Sequence, residues 1–227
     1  MVFWNPWHGC TKVSPGCVNC YVYRRDSKIG KDASIVTKTS SFNLPVRKDR
    51  YGNYKISSLD GTVMTCFTSD FLHPDADKWR LDAWNMIRER SDLNFYFITK
   101  RPERFTEVLP DDWGEGYDNV RVCCTCENQE MTDKRLPVFL DLPIKHKEII
   151  HEPMLEPISI NRYLELYPGK IECISCGGES GDNARILKYE WVLNTRAQCI
   201  QHNVSFSFHQ TGSYFEKDDR IYHIERK

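Results

Sequence analysis

Long apolar runs are missing from this sequence. No stretch approaches ~18 consecutive apolar residues, which excludes a membrane-spanning helix read from hydropathy. A basic excess is missing too: 31 Lys and Arg face 32 Asp and Glu, for a formal net charge of -1. No whole-chain electrostatic footprint therefore points to nucleic acid, although a local patch stays open. Neither an internal repeat nor a low-complexity tract is found, which leaves no basis for a repeat architecture. The opening Met1-Val2-Phe3-Trp4-Asn5-Pro6 lacks a basic region followed by an apolar run, so no export signal is expected. Cysteine, by contrast, is plentiful, at ten residues. In the reducing cytoplasm, the expected location, such thiols need not pair, and a close group of them serves naturally as metal or cluster ligands.

The 227 residues are 40% hydrophobic and 12% aromatic, enough for a sizeable core. Short β-rich runs at 62–67, 94–98, 119–124, 147–151, 171–176 and 204–208 alternate with stretches that read as helices at 76–90, 102–109, 131–142, 159–166 and 187–203. Alternation of this kind predicts repeated βα units and a parallel sheet. Each run also exits into a polar group: Ser69-Asp70, Lys100-Arg101, Glu127-Asn128, Glu152-Pro153, Gly177-Gly178-Glu179 and His209-Gln210. Ligands of parallel βα folds gather at the carboxyl ends of strands, so six polar exits in succession suggest a lined pocket. The expected organisation is one domain over 1–227. It comprises a cluster-binding loop at 1–26, an insertion with a small hairpin at 27–60, βα repeats at 61–212 and a C-terminal tail at 213–227. The insertion holds the most basic aromatic patch, with Arg47, Lys48, Arg50 and Lys55 beside Tyr51 and Tyr54. It reads as a solvated hairpin or as a contact for a phosphate-bearing substrate.

Cys10, Cys17 and Cys20 lie within eleven residues, spaced C-x6-C-x2-C, and Pro6, Gly9, Pro15 and Gly16 keep that backbone irregular. A loop of this kind can wrap a 4Fe–4S cluster and leave one iron without a protein ligand. Zinc on the same three thiolates with His8 as the fourth ligand is the competing reading. The remaining cysteines, Cys123, Cys124, Cys126, Cys173 and Cys176 among them, read as small core residues.

The loop resembles the cluster-binding motif of radical S-adenosylmethionine (SAM) enzymes, and Asn5-Pro6-Trp7-His8-Gly9-Cys10 with Cys20-Tyr21 is similar to the spore photoproduct lyase branch. A closer resemblance, over nearly the whole chain, is to the phage gp-thirty-seven/gp-sixty-eight family of unknown function. It is carried by residues 5–21, 69–73, 98–104, 127–129, 152–158, 177–181 and 206–210. The resemblance implies a partial TIM-type (β/α)6 barrel with an N-terminal cluster loop. It also implies reductive cleavage of SAM to a 5′-deoxyadenosyl radical, an electron donor of flavodoxin or ferredoxin type, and a substrate that could be a nucleotide or nucleic acid. On that reading Ser69 and Asp70 meet the methionine amino group, and Lys100 or Arg101 its carboxylate. Glu127 or Asn128 meets the ribose, Gly177 and Gly178 the adenine, and Tyr21 stands in for the usual aromatic. Glu152, Glu179 and His209 are the candidates for substrate contact or proton transfer. The spacing departs from the common C-x3-C-x2-C, and Asn19 stands where those enzymes carry an aromatic. Two other functions stay open. One is a non-catalytic zinc or iron–sulfur module for nucleic acid or a protein; the other is a cluster-dependent redox or lyase enzyme that does not use SAM.

Overall fold

A computed structural model describes residues 1–225. The described strands are β1 (Val2–Trp4), β2 (Trp7–His8), β3 (Thr37–Lys38), β4 (Thr62–Thr65), β5 (Asn94–Thr99), β6 (Val120–Thr125), β7 (His146–His151), β8 (Cys173–Gly177), β9 (Leu187–Lys188), β10 (Ser205–Gln210), β11 (Tyr214–Lys217) and β12 (Arg220–His223). The helices are α1 (Tyr21–Ser27), α2 (Asp77–Glu89), α3 (Gln129–Asp141), α4 (Asn161–Leu166) and α5 (Tyr189–Gln201). The fold is mixed α/β. Seven strands share one sheet in the order β1-β4-β5-β6-β7-β8-β10. From β4 on, each main strand neighbours its predecessor in the chain, the order that successive βα units produce. The six expected strands are all present. β1 adds a seventh, because Val2, Phe3 and Trp4 pair in parallel with Val63, Met64 and Thr65.

The chain divides into two compact units. The first takes in Met1–Thr11, Asp26–Cys123 and Leu142–His146. Its core is aromatic: Phe71 stacks on Phe97 at 4.6 Å and meets the edge of Trp84 at 4.8 Å, and Trp84 lies 4.8 Å from Trp113. Trp84 sits on α2 with Ala83, Met86 and Ile87, the buried stripe that gives this helix its reason to form. Past the end of α2 the buried Arg90 guanidinium donates to the carbonyls of Pro45 and Ile56 and pairs with Asp92. The 27–60 insertion is thereby tied to the helix. Within the insertion an antiparallel bridge joins Lys48 to Tyr54, and the Tyr54 ring carries Lys48 at 4.8 Å and Arg90 at 4.1 Å. Much of the basic aromatic patch is therefore spent on the fold itself. The 102–109 stretch, expected as a helix, forms only a 3-10 turn over Pro102–Arg104. Proline starts the turn well, but Pro110 follows too soon for a helix to extend.

The second unit comprises Lys12–Arg25, Cys124–Asp141 and the chain from Lys147 on. Here β8 is flanked in parallel by β7 and β10, with Ile174 opposite both Ile149 and Phe206. α5 turns Val192, Thr195 and Cys199 inward. The buried Gln198 accepts from the amides of Ile160 and Asn161 and so closes the start of α4. The expected tail is a hairpin, β11 against β12, with β11 also parallel to β9. Asp218 and Asp219 turn it at φ of 52° and 58°, the left-handed pair that a tight hairpin needs.

Candidate functional site

Cys10 belongs to the first unit, and the exits of β4 and β5 hold the segment that carries it. The Gly9 amide donates to the Thr68 carbonyl, the Ser69 hydroxyl donates to the Gly9 carbonyl, and the Cys10 amide donates to Ala33. Gly9 has φ of 96°, and a Cβ there would collide with the Ile35 carbonyl, so only glycine fits. Arg101 Nη1 lies 3.6 Å from Cys10 Sγ, while Nη2 donates to the Thr11 carbonyl at 2.8 Å and to its hydroxyl at 3.0 Å. His73 Nε2 closes the other side of Thr11, accepting from its amide at 3.2 Å. A guanidinium beside sulfur favours the thiolate that metal ligation needs.

Asp70 fixes Arg101. Its buried carboxylate accepts from Leu72 N, Thr99 Oγ1 and Lys100 N and pairs with Arg101 Nη1 at 3.1 Å. Burial pushes the Asp70 pKa up, but Arg101 and the three hydrogen bonds outweigh it and hold the carboxyl below its ordinary range. Arg101, opposed by burial, is held above its own range by Asp70 and Cys10. A carboxyl with a depressed folded value contributes stability that is complete above its unfolded pKa of ~3.9 and is lost as pH falls through the folded one. Acid unfolding below about pH 4 should therefore be steeper in the native chain than in Asp70→Asn, as measured by urea titrations across that range.

Cys17 and Cys20 belong to the second unit, and their loop is clasped at three points. Glu127, wholly buried beyond β6, accepts from the Gly16 amide at 3.0 Å through Oε1 and pairs with Arg135 of α3 at 2.6 Å through Oε2. Glu179, beyond β8, accepts from Asn19 Nδ2 at 2.9 Å and forms a two-pronged pair with Arg185 at 2.6 and 2.9 Å. Arg185 Nη2 in turn donates to the Pro15 carbonyl at 3.1 Å. Burial raises the Glu179 pKa, yet Arg185 and Asn19 bring it below the ordinary range. Asn19, the departure from the radical SAM pattern, is thus the residue that ties the C-x2-C segment to Glu179.

The other expected site residues stand as follows. Asn128 Oδ1 accepts from Met131 N and opens α3, while Lys100 meets Asp70 through its amide. Tyr21 starts α1 and is exposed. Gly177 and Gly178 sit at a close approach made by the chain itself, where a Cβ would strike Glu152 and the Thr211 carbonyl respectively. Glu152 pairs with His209 Nδ1 at 3.0 Å. His8 Nε2 lies 2.5 Å from Asp26 Oδ2 inside the fold, so a zinc-ligand role would fall to Nδ1. Sequence reasoning missed His73 and Asp26, which meet Thr11 and His8, and Arg135, which holds Glu127. It read Asn19 only as a missing aromatic and His8 only as a zinc ligand.

None of the ten cysteines is in a disulfide. Cys10, Cys17 and Cys20 are half-buried, as is Cys173, while the other six are buried. Burial pushes Cys176 and Cys199 up to about 12, the behaviour of inert core thiols. Among the described residues no three His, Cys, Asp or Glu side chains are grouped so as to hold a metal ion. As chemistry, three accessible thiols in one loop are a donor set that suits an iron–sulfur cluster, whose cysteines sit each on its own iron. No helix among the described residues is long and apolar enough to cross a membrane.

No curated protein matches the chain. No solved structure matches it either. A family model described as "Protein of unknown function (DUF5131)" matches residues 2–226. The cysteine loop and the residues that hold it lie inside that span, and the chain belongs to this family of unknown function.

Proposed function

We propose that this chain is an iron–sulfur enzyme of radical SAM type, with a 4Fe–4S cluster on Cys10, Cys17 and Cys20. One observation carries the reading: buried carboxylates at strand exits are committed to the segments around the three accessible cysteines. Asp70 sets Arg101 beside Cys10, and Glu127 and Glu179 hold the backbone and side chains of residues 15–19. Burying ionised groups is costly, and their commitment to an irregular loop supports the reading that the loop is positioned for a ligand. When bound, the cluster would supply one-electron chemistry to SAM for attack on a C–H bond of a substrate that could be a nucleotide or nucleic acid. An electron donor of flavodoxin or ferredoxin type would serve it.

The residues divide the remaining work. Cys10, Cys17 and Cys20 bind, Arg101 offsets thiolate charge, and Ser69, Asp70, Glu127 and Glu179 position. Lys100, Asn128, Tyr21, Gly177 and Gly178 stay with SAM in this proposal. Anaerobically reconstituted protein reduced with dithionite should convert SAM to 5′-deoxyadenosine and methionine, read by chromatography. A loaded, reduced protein that neither binds nor cleaves SAM moves the function to redox or lyase chemistry without SAM. Zinc in place of iron and sulfide moves it to a non-catalytic module.

A further inference from the structure

Consecutive residues of a strand normally face opposite sides of the sheet. His209 and Gln210 nevertheless reach the same carboxylate: His209 Nδ1 lies 3.0 Å from Glu152 Oε2, and Gln210 Nε2 donates to Glu152 Oε1. A break in register produces this. β10 runs opposite β8 residue for residue from Ser205 at Cys173 to Phe208 at Cys176, and then Gln210 rather than His209 pairs with Gly177. His209 is the extra residue of a bulge, a device that re-aims side chains at strand ends. β8 lies between β7 and β10, so Glu152 must cross the end of β8 to reach His209. Gly177 leaves the gap, since a Cβ there would stand 2.5 Å from Glu152 Cδ.

The pair is open to solvent, with side-chain exposures of 42% for His209 and 21% for Glu152. Among the described residues nothing engages the second ring nitrogen, Nε2. Both side chains stand at carboxyl ends of parallel strands, where such sheets take their ligands. A carboxylate on Nδ1 fixes the ring, keeps the proton on Nδ1 and stabilises the charge that appears when Nε2 is protonated.

We propose that Glu152, His209 and Gln210 form a general-base site in which His209 Nε2 takes the proton of a water or substrate hydroxyl. The O–H bond breaks, the Nε2–H bond forms, and the electron pair stays on the oxygen, which becomes the nucleophile toward a carbonyl or similar electrophilic centre. Glu152 is the positioning residue, and Gln210 holds its other oxygen. The proposal does not rest on the cluster. The groups that set the charge on His209 are Glu152 and Glu148. The bond from Glu152 holds the imidazole above its ordinary value against the pull of burial.

The test uses two probes on the whole chain. Diethyl pyrocarbonate should modify His209, located by mass spectrometry, with a rate that rises with pH to a midpoint above ~6.5. Glu152→Gln should bring that midpoint down toward ~6.5. Gly177→Ala should do likewise, because it displaces the carboxylate while leaving both titrating groups in the chain. The fully buried His151, whose value is pushed down to about 4, should stay unmodified and serves as the internal control. With p-nitrophenyl acetate the native protein should show hydrolysis that follows the same midpoint, and His209→Gln should lose on the order of tenfold or more of it. A merely structural pair would shift the midpoint without supporting hydrolysis. Native-like variants with unchanged midpoints, or hydrolysis indifferent to His209→Gln, would overturn the proposal.

Discussion

Cys10→Ala, Cys17→Ala and Cys20→Ala are each expected to abolish the brown chromophore and the about four irons and four sulfides that a single cluster brings on anaerobic reconstitution. On the proposed reading the effect is all-or-none, because the cubane would lose one of its three protein anchors. Cys173→Ala is the matched control. It removes another half-buried thiol, but one on β8 rather than in the loop, and iron content should not change. Iron and acid-labile sulfide analysis decides the matter. A full cluster in the triple variant would refute the assignment, and iron lost from Cys173→Ala without unfolding would add a fourth ligand.

Glu127→Ala is expected to destabilise the fold by about 3–5 kcal/mol, the usual cost of stripping one partner from a buried ion pair. Arg135 is 4% exposed and, among the described residues, would keep only the Thr125 carbonyl at 2.8 Å, leaving a buried cation without its counter-charge. The Gly16 amide would lose its acceptor as well, adding the cost of an unmet buried donor, about 1–3 kcal/mol, within that total. Glu127→Gln keeps an acceptor for both and should fall between the two. Urea unfolding measures the loss. A change under about 1 kcal/mol would mean that the loop is not held from this side.

The regular elements were legible because periodicity is local. The strand starts near 62, 94 and 147 and the helix starts near 76 and 131 fall within a few residues of the structure. Three-residue β1 was not legible, since Val2-Phe3-Trp4 carries no alternation long enough to read, and the hairpin β11–β12 hid in what reads as a tail. At the candidate site, the sequence pointed to polar strand exits but not to what they hold. Glu127 finds Gly16 across 111 positions and Glu179 finds Asn19 across 160. No spacing rule links residues so far apart. A carboxylate that binds a ligand and one that grips its own chain look the same until the fold brings them together.

The clasp on residues 15–19 also bears on what orders that segment. An unbraced loop would be ordered only by the metal, and fixing each residue costs roughly 1–2 kcal/mol in backbone entropy. Here Glu127 and Glu179 hold Gly16 and Asn19 through the chain's own contacts, so the order of this segment does not wait for a ligand. On the proposed cluster reading, the chain without its cluster is expected to keep its native form, and loss of the cluster would be a reversible exchange rather than a route to degradation.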